Sequence, residues 1–138
     1  MASLLYTSFI RDIATGSVDC DTDSFKGMLV TSSYTANKDH DKRDDITNEV
    51  SGTGYTAGGA AVTLTTALDT TNDRVTITPS EPSWSTATIT ARGMVIYKAR
   101  GGASSADELV AFVDFGSDVT STAGTFATDI TTPITIQN

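Results

Sequence analysis

Forty-three of the 138 residues are branched at Cβ: 25 Thr, 9 Val and 9 Ile, against only 6 Leu and 3 Met. A second substituent on Cβ restricts χ1 in a helix and suits the pleated, half-buried surface of a sheet, so an all-β domain is expected. Ser, Thr, Ala and Gly together make up 65 residues, which means that many side chains fill little volume. The core must therefore be thin, with the five Phe, four Tyr and one Trp supplying its bulk. At this length the chain reads as one domain, residues 1–138, able to bury roughly two-thirds of its unfolded surface without disulfides.

Hydrophobic periodicity places the elements. Leu4, Leu5, Phe9, Ile10 and Ile13 recur at helical spacing, with Ser3 as N-cap and Gly16 as stop, which predicts one short N-terminal helix. Phe25 to Ser33 reads as a strand, and the polar stretch Tyr34 to Thr47 as a surface excursion. The glycine block Asn48 to Ala60 reads as a shaped connection anchored by Val50 and Tyr55. Two-residue alternation through Val62, Leu64 and Leu68 and again through Val75 and Ile77, with Asp69-Thr-Thr-Asn-Asp between them, predicts a hairpin bracketed by Pro79 and Pro82. Trp84 to Thr90, Gly93 to Arg100, Glu108 to Gly116, Thr125 to Thr131 and Ile134 to Gln137 read as five more strands. Of these, Gly93 to Arg100 is apolar on both faces and is expected at the centre of a sheet, covered on both sides. Seven or eight strands with turns at this spacing predict a single β-sandwich with one short helix.

Charge excludes more than it assigns. Nine Lys and Arg against seventeen Asp and Glu leave a net charge of −8, which provides no broad field for a phosphate backbone, so no nucleic-acid partner is expected. No apolar run approaches the roughly 20 residues of a bilayer-spanning helix. Met1-Ala-Ser-Leu-Leu lacks a basic n-region and an apolar h-region, so neither a membrane partner nor export is expected. Seven aspartates lie between Asp19 and Asp45, and nothing basic follows Arg100. These two stretches are the expected partner-facing acidic surfaces.

Each candidate chemical site has a plainer reading beside it. Asp19, Asp21 and Asp23 alternate as hard oxygen ligands would for Ca²⁺, but an EF-hand loop needs Gly and an acid where Ser24 and Val30 stand. The sole imidazole, His40, sits between Asp39 and Asp41 and near Asp44 and Asp45; no nucleophile elbow accompanies it. The Gly52-Thr-Gly-Tyr-Thr-Ala-Gly-Gly run resembles a phosphate loop without its Lys-Ser/Thr pair. Glu49, Glu81 and Glu108 give no cleft-forming carboxylate pair, and Cys20, flanked by Asp19 and Asp21, is a poor thiolate. Trp84, with Tyr34, Tyr55, Tyr97, Phe112, Phe115 and Phe126, forms either a glycan platform or the bulk of the core. No catalytic, cofactor-binding or metal-binding residue is assigned, and no enzyme is expected.

Four blocks, in order, carry a resemblance: Leu4-Leu-Tyr-Thr-Ser-Phe, Phe25-Lys-Gly-Met-Leu-Val-Thr-Ser-Ser-Tyr-Thr, Asn48-Glu-Val-Ser-Gly-Thr-Gly-Tyr-Thr-Ala-Gly-Gly and Thr88-Ile-Thr-Ala-Arg-Gly-Met-Val-Ile-Tyr-Lys. Over residues 4 to 116 the chain resembles a family of small virion structural proteins of tailed bacteriophages and prophages. The resemblance implies a virion structural protein, and within that class the chain's size and composition favour a capsid decoration, or cement, protein. Such a protein is a small jelly-roll-like β-sandwich, expected as a homodimer or homotrimer bound to the outer face of the major capsid protein shell, reached from the host cytoplasm during assembly. The N-terminal helix, the Tyr34 to Thr47 segment and the Ile134 to Gln137 strand are then the expected contact pieces. A tail, neck or fibre-base component is the alternative within the virion, and a carbohydrate-binding module the alternative outside it.

Overall fold

A computed structural model describes residues 2–130 and 133–138. Over these residues the fold is all-β and sandwich-like, with eight strands in two antiparallel sheets and one α-helix. In chain order the elements are β1 (Leu4–Leu5), α1 (Thr7–Thr15), β2 (Phe25–Val30), β3 (Ala60–Val62), β4 (Leu64–Asp69), β5 (Arg74–Pro79), β6 (Ser83–Lys98), β7 (Leu109–Ala127) and β8 (Ile134–Gln137). The large sheet runs β1-β7-β6-β2-β3 and the small one β4-β5-β8. The chain crosses from one sheet to the other at Thr63, so the alternating run through Val62, Leu64 and Leu68, predicted as one strand, serves both.

The helix is shorter than its periodicity predicts. Leu4 and Leu5 pair with Phe112 and Ala111 on the edge of β7 instead of entering the helix. Tyr6 takes the N-cap position in place of Ser3, whose Oγ accepts the Asp114 N–H at 2.8 Å. Strand pairing satisfies backbone groups that a ragged first turn would leave open, and both leucines still reach the core. The C-terminus is as expected: Gly16 adopts φ 79° and its N–H closes on the Ile13 carbonyl.

β6 and β7 are longer than predicted, at 16 and 19 residues. The Ala91-Arg92 break between two predicted strands is a bulge: Ala91 pairs with Val119 and Gly93 with Asp114, so residues 115–118 stand opposite Arg92 alone. Thr125 to Ala127 completes β7; Thr131, the end of that predicted strand, lies outside the described residues.

The central strand is doubly covered, as its composition demands. On one face Phe25, Leu29, Met94 and Ile96 pack with Leu64 and Ile77 of the small sheet and with Trp84 and Phe126. On the other, Met28, Val30, Val95, Tyr97 and Phe112 pack with Tyr6 and Tyr34, flanked by Ala36 and Ile46. The Tyr34 to Thr47 segment is a surface excursion, as expected, but Tyr34 is 1% exposed, and with Ala36 and Ile46 it makes the segment a cover across the second face. One three-stranded sheet can shield only one side of a strand that is apolar on both, and the polar segment shields the other.

Candidate functional site

Each chemically suggestive cluster is occupied by the protein's own groups. Glu49 fills the glycine loop: its Oε1 accepts the Tyr55 hydroxyl at 2.8 Å and the Gly58 N–H at 2.6 Å. The Tyr97 hydroxyl donates to the Gly58 carbonyl at 2.6 Å. An amide that would cradle a phosphate therefore already holds a carboxylate.

The alternating aspartates do not converge. Asp19 Oδ1 accepts the Asp21 N–H at 2.9 Å, Asp21 Oδ1 accepts Thr66 Oγ1 at 3.3 Å, and Asp23 Oδ2 pairs with Lys98 Nζ at 2.8 Å. The Lys98 bond and the Asp19 N–H hold the Asp23 carboxyl below its ordinary range. Among the described residues no three His, Cys, Asp or Glu side chains are placed to hold a metal ion. Burial first, and then Asp21, Asp19 and Asp23, push the Cys20 thiol up, away from thiolate chemistry.

His40 faces inward. Its Nδ1 lies 3.2 Å from the Tyr34 hydroxyl, which meets the Tyr6 hydroxyl at 2.8 Å. Asp45 caps the neighbouring 3-10 turn, accepting the Asp41 N–H at 2.9 Å, and that bond lowers its pKa. The arrangement pins a loop onto a sheet.

A denser charged cluster closes the β6–β7 end, and only half of it is legible in the sequence. Arg100 grips both oxygens of Glu108 through Nε, at 3.0 and 2.9 Å, and adds Nη2 at 2.6 Å. Arg43 Nε donates to Asp107 Oδ2 at 2.8 Å while its guanidinium lies 5.1 Å from the centre of the Tyr97 ring. Lys42 stands 3.6 Å from Glu108. Burial alone would raise the Glu108 pKa, but the Arg100 bonds and the nearby Lys42 outweigh it and the net shift is downward. Arg100 and Glu108 flank one turn and could be paired by eye. Arg43 and Asp107 are 64 residues apart, and no local pattern announces them.

The aromatics are core. Trp84 is 7% exposed and meets Phe126 edge-on at 6.0 Å between ring centres. Tyr34, Tyr97, Phe112 and Phe126 are buried as well, so they form no exposed platform.

What the described residues do present is a small sheet whose end strands, β4 and β8, each pair with β5 alone. On the β8 side, Ile134 and Thr135 with Pro133 border a depression of about 200 Å³ whose opposite wall is Leu4, Leu5, Phe112 and Val113. This seam between β8 and β1 is mainly apolar, and both strands bordering it end their sheets. On the β4 side, Leu68 is 76% exposed. The seam and the β4 edge lie at opposite ends of the β4-β5-β8 order.

Comparison with known proteins found no matching family model, curated protein or solved structure.

The candidate surfaces are thus the β1–β8 seam and the β4 edge. Of the three contact pieces expected from sequence, β8 borders the seam, the Tyr34 segment is committed to covering the large sheet, and α1 shows solvent one large apolar side chain, Ile10 at 48% exposure. Leu68 carries no distinguishing signal in the sequence, because alternation along β4 cannot tell which end of a strand overhangs the core.

Proposed function

We propose that this chain is a structural protein of a tailed-bacteriophage virion: a capsid decoration protein that binds the outer face of the major capsid protein shell and stabilises it. The β1–β8 seam supports this reading most directly. Two strands that end their sheets border an apolar depression, the arrangement in which an extended segment of another protein is bound through strand addition. The internal pairing of Arg43, Lys98, Arg100 and Arg92 with Asp107, Asp23, Glu108 and Asp114 leaves recognition to shape and backbone more than to charge. The four sequence blocks that resemble small phage structural proteins supply the partner class.

The test is binding to purified shells that lack the protein, read by co-sedimentation and particle imaging. Added protein should bind at a fixed stoichiometry and delay thermal opening of the shell. Thr135→Arg, an exposed change at the seam, should abolish binding while leaving the fold intact. Recovery of the protein from tails and not from heads would replace this reading with a tail or neck component.

A further inference from the structure

We infer that the outer edge of β4 pairs with the β4 of a second copy, antiparallel, about a two-fold axis at Thr66. Four strands end the two sheets: β1 with two residues, β3 with three, β8 with four and β4 with six. Short edges are poor templates, so β4 is the one long enough to direct assembly. Its own residues from Leu64 to Leu68 carry none of the devices that protect edges. Leu64 to Leu68 has no charge, no proline and no bulge, and the strand pairs with β5 without a break from Leu64 opposite Pro79 to Asp69 opposite Arg74. Residues 65–68 are all exposed. Among the described residues, the only hydrogen bond to their backbone outside the ladder comes from a side chain of β5, Thr76 Oγ1 to the Ala67 carbonyl.

The occupant is specified by the strand itself. Leu64-Thr-Thr-Ala-Leu is close to a palindrome in side-chain character about Thr66. Under a two-fold axis there, Leu64 of each copy lies opposite Leu68 of the other, Thr65 opposite Ala67, and Thr66 opposite itself. Directly opposed side chains on one face meet at roughly 5 Å. The most exposed large apolar side chain of the described residues, Leu68, is then placed beside a Leu64 that is already 5% exposed at the rim of the other copy's core. An isologous contact of this kind closes as a dimer and leaves no sticky end.

Charge is compatible with self-pairing despite the net −8. The two Asp69 side chains fall at opposite ends of the paired stretch, roughly 20 Å apart at the strand rise, and each is already held by its own Arg74 at 2.9 Å. The like charges nearest the axis are the two Asp21 carboxylates, each bound to Thr66 Oγ1 at 3.3 Å. They oppose association at low ionic strength and are screened at a Debye length of about 8 Å in physiological salt. Dimerisation should therefore tighten as salt is added.

Pairing through β4 does not depend on shell binding, and it adds a consequence to it. A dimer joined through β4 turns two β8 seams outward, one per copy, which suits a protein that bridges neighbouring capsomers.

Cross-linking of the purified full chain tests the pairing. In a Cys20→Ser background, Thr66→Cys should form an intermolecular disulfide on mild oxidation, because residues facing each other across the axis have Cα separations within disulfide reach. Thr78→Cys, exposed one strand away on β5, should not. Light scattering over a concentration series should give a dimer mass that Ala67→Lys reduces to monomer. A monomer mass up to about 1 mM overturns the proposal, as does a dimer in which the Thr66→Cys variant fails to cross-link while the Thr78→Cys variant succeeds. Thr135→Arg, the seam variant, should still dimerise, so failure of shell binding and failure of self-pairing are read separately.

Discussion

The hydroxyls of Tyr6 and Tyr34 meet at 2.8 Å within the second core layer, 28 residues apart in sequence, with no exposed atom of consequence on either ring. This bond joins the segment entering α1 to the cover that shields the outer face of the large sheet. Removing one hydroxyl leaves the other buried with a lost partner, which costs about 1–3 kcal/mol. Tyr34→Phe should lower stability by that amount, and the Tyr6→Phe, Tyr34→Phe double variant by less than the sum of the singles. A denaturant-melt cycle with strictly additive losses would show that the hydroxyls do not act as a pair.

A side chain at position 59 has nowhere to go. Gly59 has φ +80°, and an added Cβ would fall within the carbonyl group of Gly27 in β2. Gly101 has a similar φ of +82° but open space around it. Gly101→Ala should cost only the left-handed backbone penalty, about 1–2 kcal/mol. Gly59→Ala adds a backbone clash and should cost about 3 kcal/mol or more, with a corresponding drop in thermal midpoint. Equal losses at the two positions would mean that the close approach of the glycine block to β2 relaxes freely.

Stability should be bounded at both ends of the pH scale by identified groups. Asp23, Asp45, Glu108 and Asp114 all have folded pKa values below their ordinary ones. A lowered carboxylate pKa stabilises the fold fully above the unfolded value of about 4, and that contribution is lost as pH falls through the folded values. The denaturation midpoint should therefore change little from about pH 8 to 5 on account of these groups and fall steeply below about 4. Glu108→Gln should be less stable at neutral pH and show a shallower acid slope; an unchanged slope would remove Glu108 from the account.

All four tyrosines, Tyr6, Tyr34, Tyr55 and Tyr97, are pushed upward, by burial before any other cause. A raised tyrosine pKa contributes fully below the unfolded value of about 10, and the contribution is lost as pH rises beyond it. Tyrosinate absorbance should thus appear together with unfolding, above about pH 10. A tyrosine that ionises near its ordinary value in the folded protein would contradict its burial.

Trp84 provides the sharpest contrast between a core and a binding platform. Buried against Phe126 and Tyr55, it should cost about 3–5 kcal/mol on replacement by Ala, measured by chemical denaturation. Wild-type protein on a glycan array should show no specific binding; binding abolished by a Trp84→Phe variant that still folds would restore the platform reading.

The strands were legible because their signals are local. β2, the β4–β5 hairpin, the apolar centre of β6 and β8 all follow from alternation and turn residues that each segment carries within itself. The all-β class followed from Thr, Val and Ile for the same reason, and Gly16 marked the helix end because only a residue without Cβ takes φ 79° at no cost. Non-local choices were not legible. Whether Leu4 and Leu5 join a helix or a sheet depends on an edge of β7 more than a hundred residues away. Whether Arg92 ends a strand or stands at a bulge depends on how many residues lie opposite it.

By itself, then, the order of residues determined where the chain is extended, where it turns and which faces are apolar, since those follow from side-chain shape and period. Only the tertiary structure decided which apolar faces are covered. Tyr34, in a stretch dense with Asp and Lys, is buried because Met28, Val30, Val95 and Phe112 needed a second cover. Leu68, on the same periodic face as a buried Leu64, is left bare because the sheet extends past the core at that end. Burial is a property of the space between elements, and no single segment contains it.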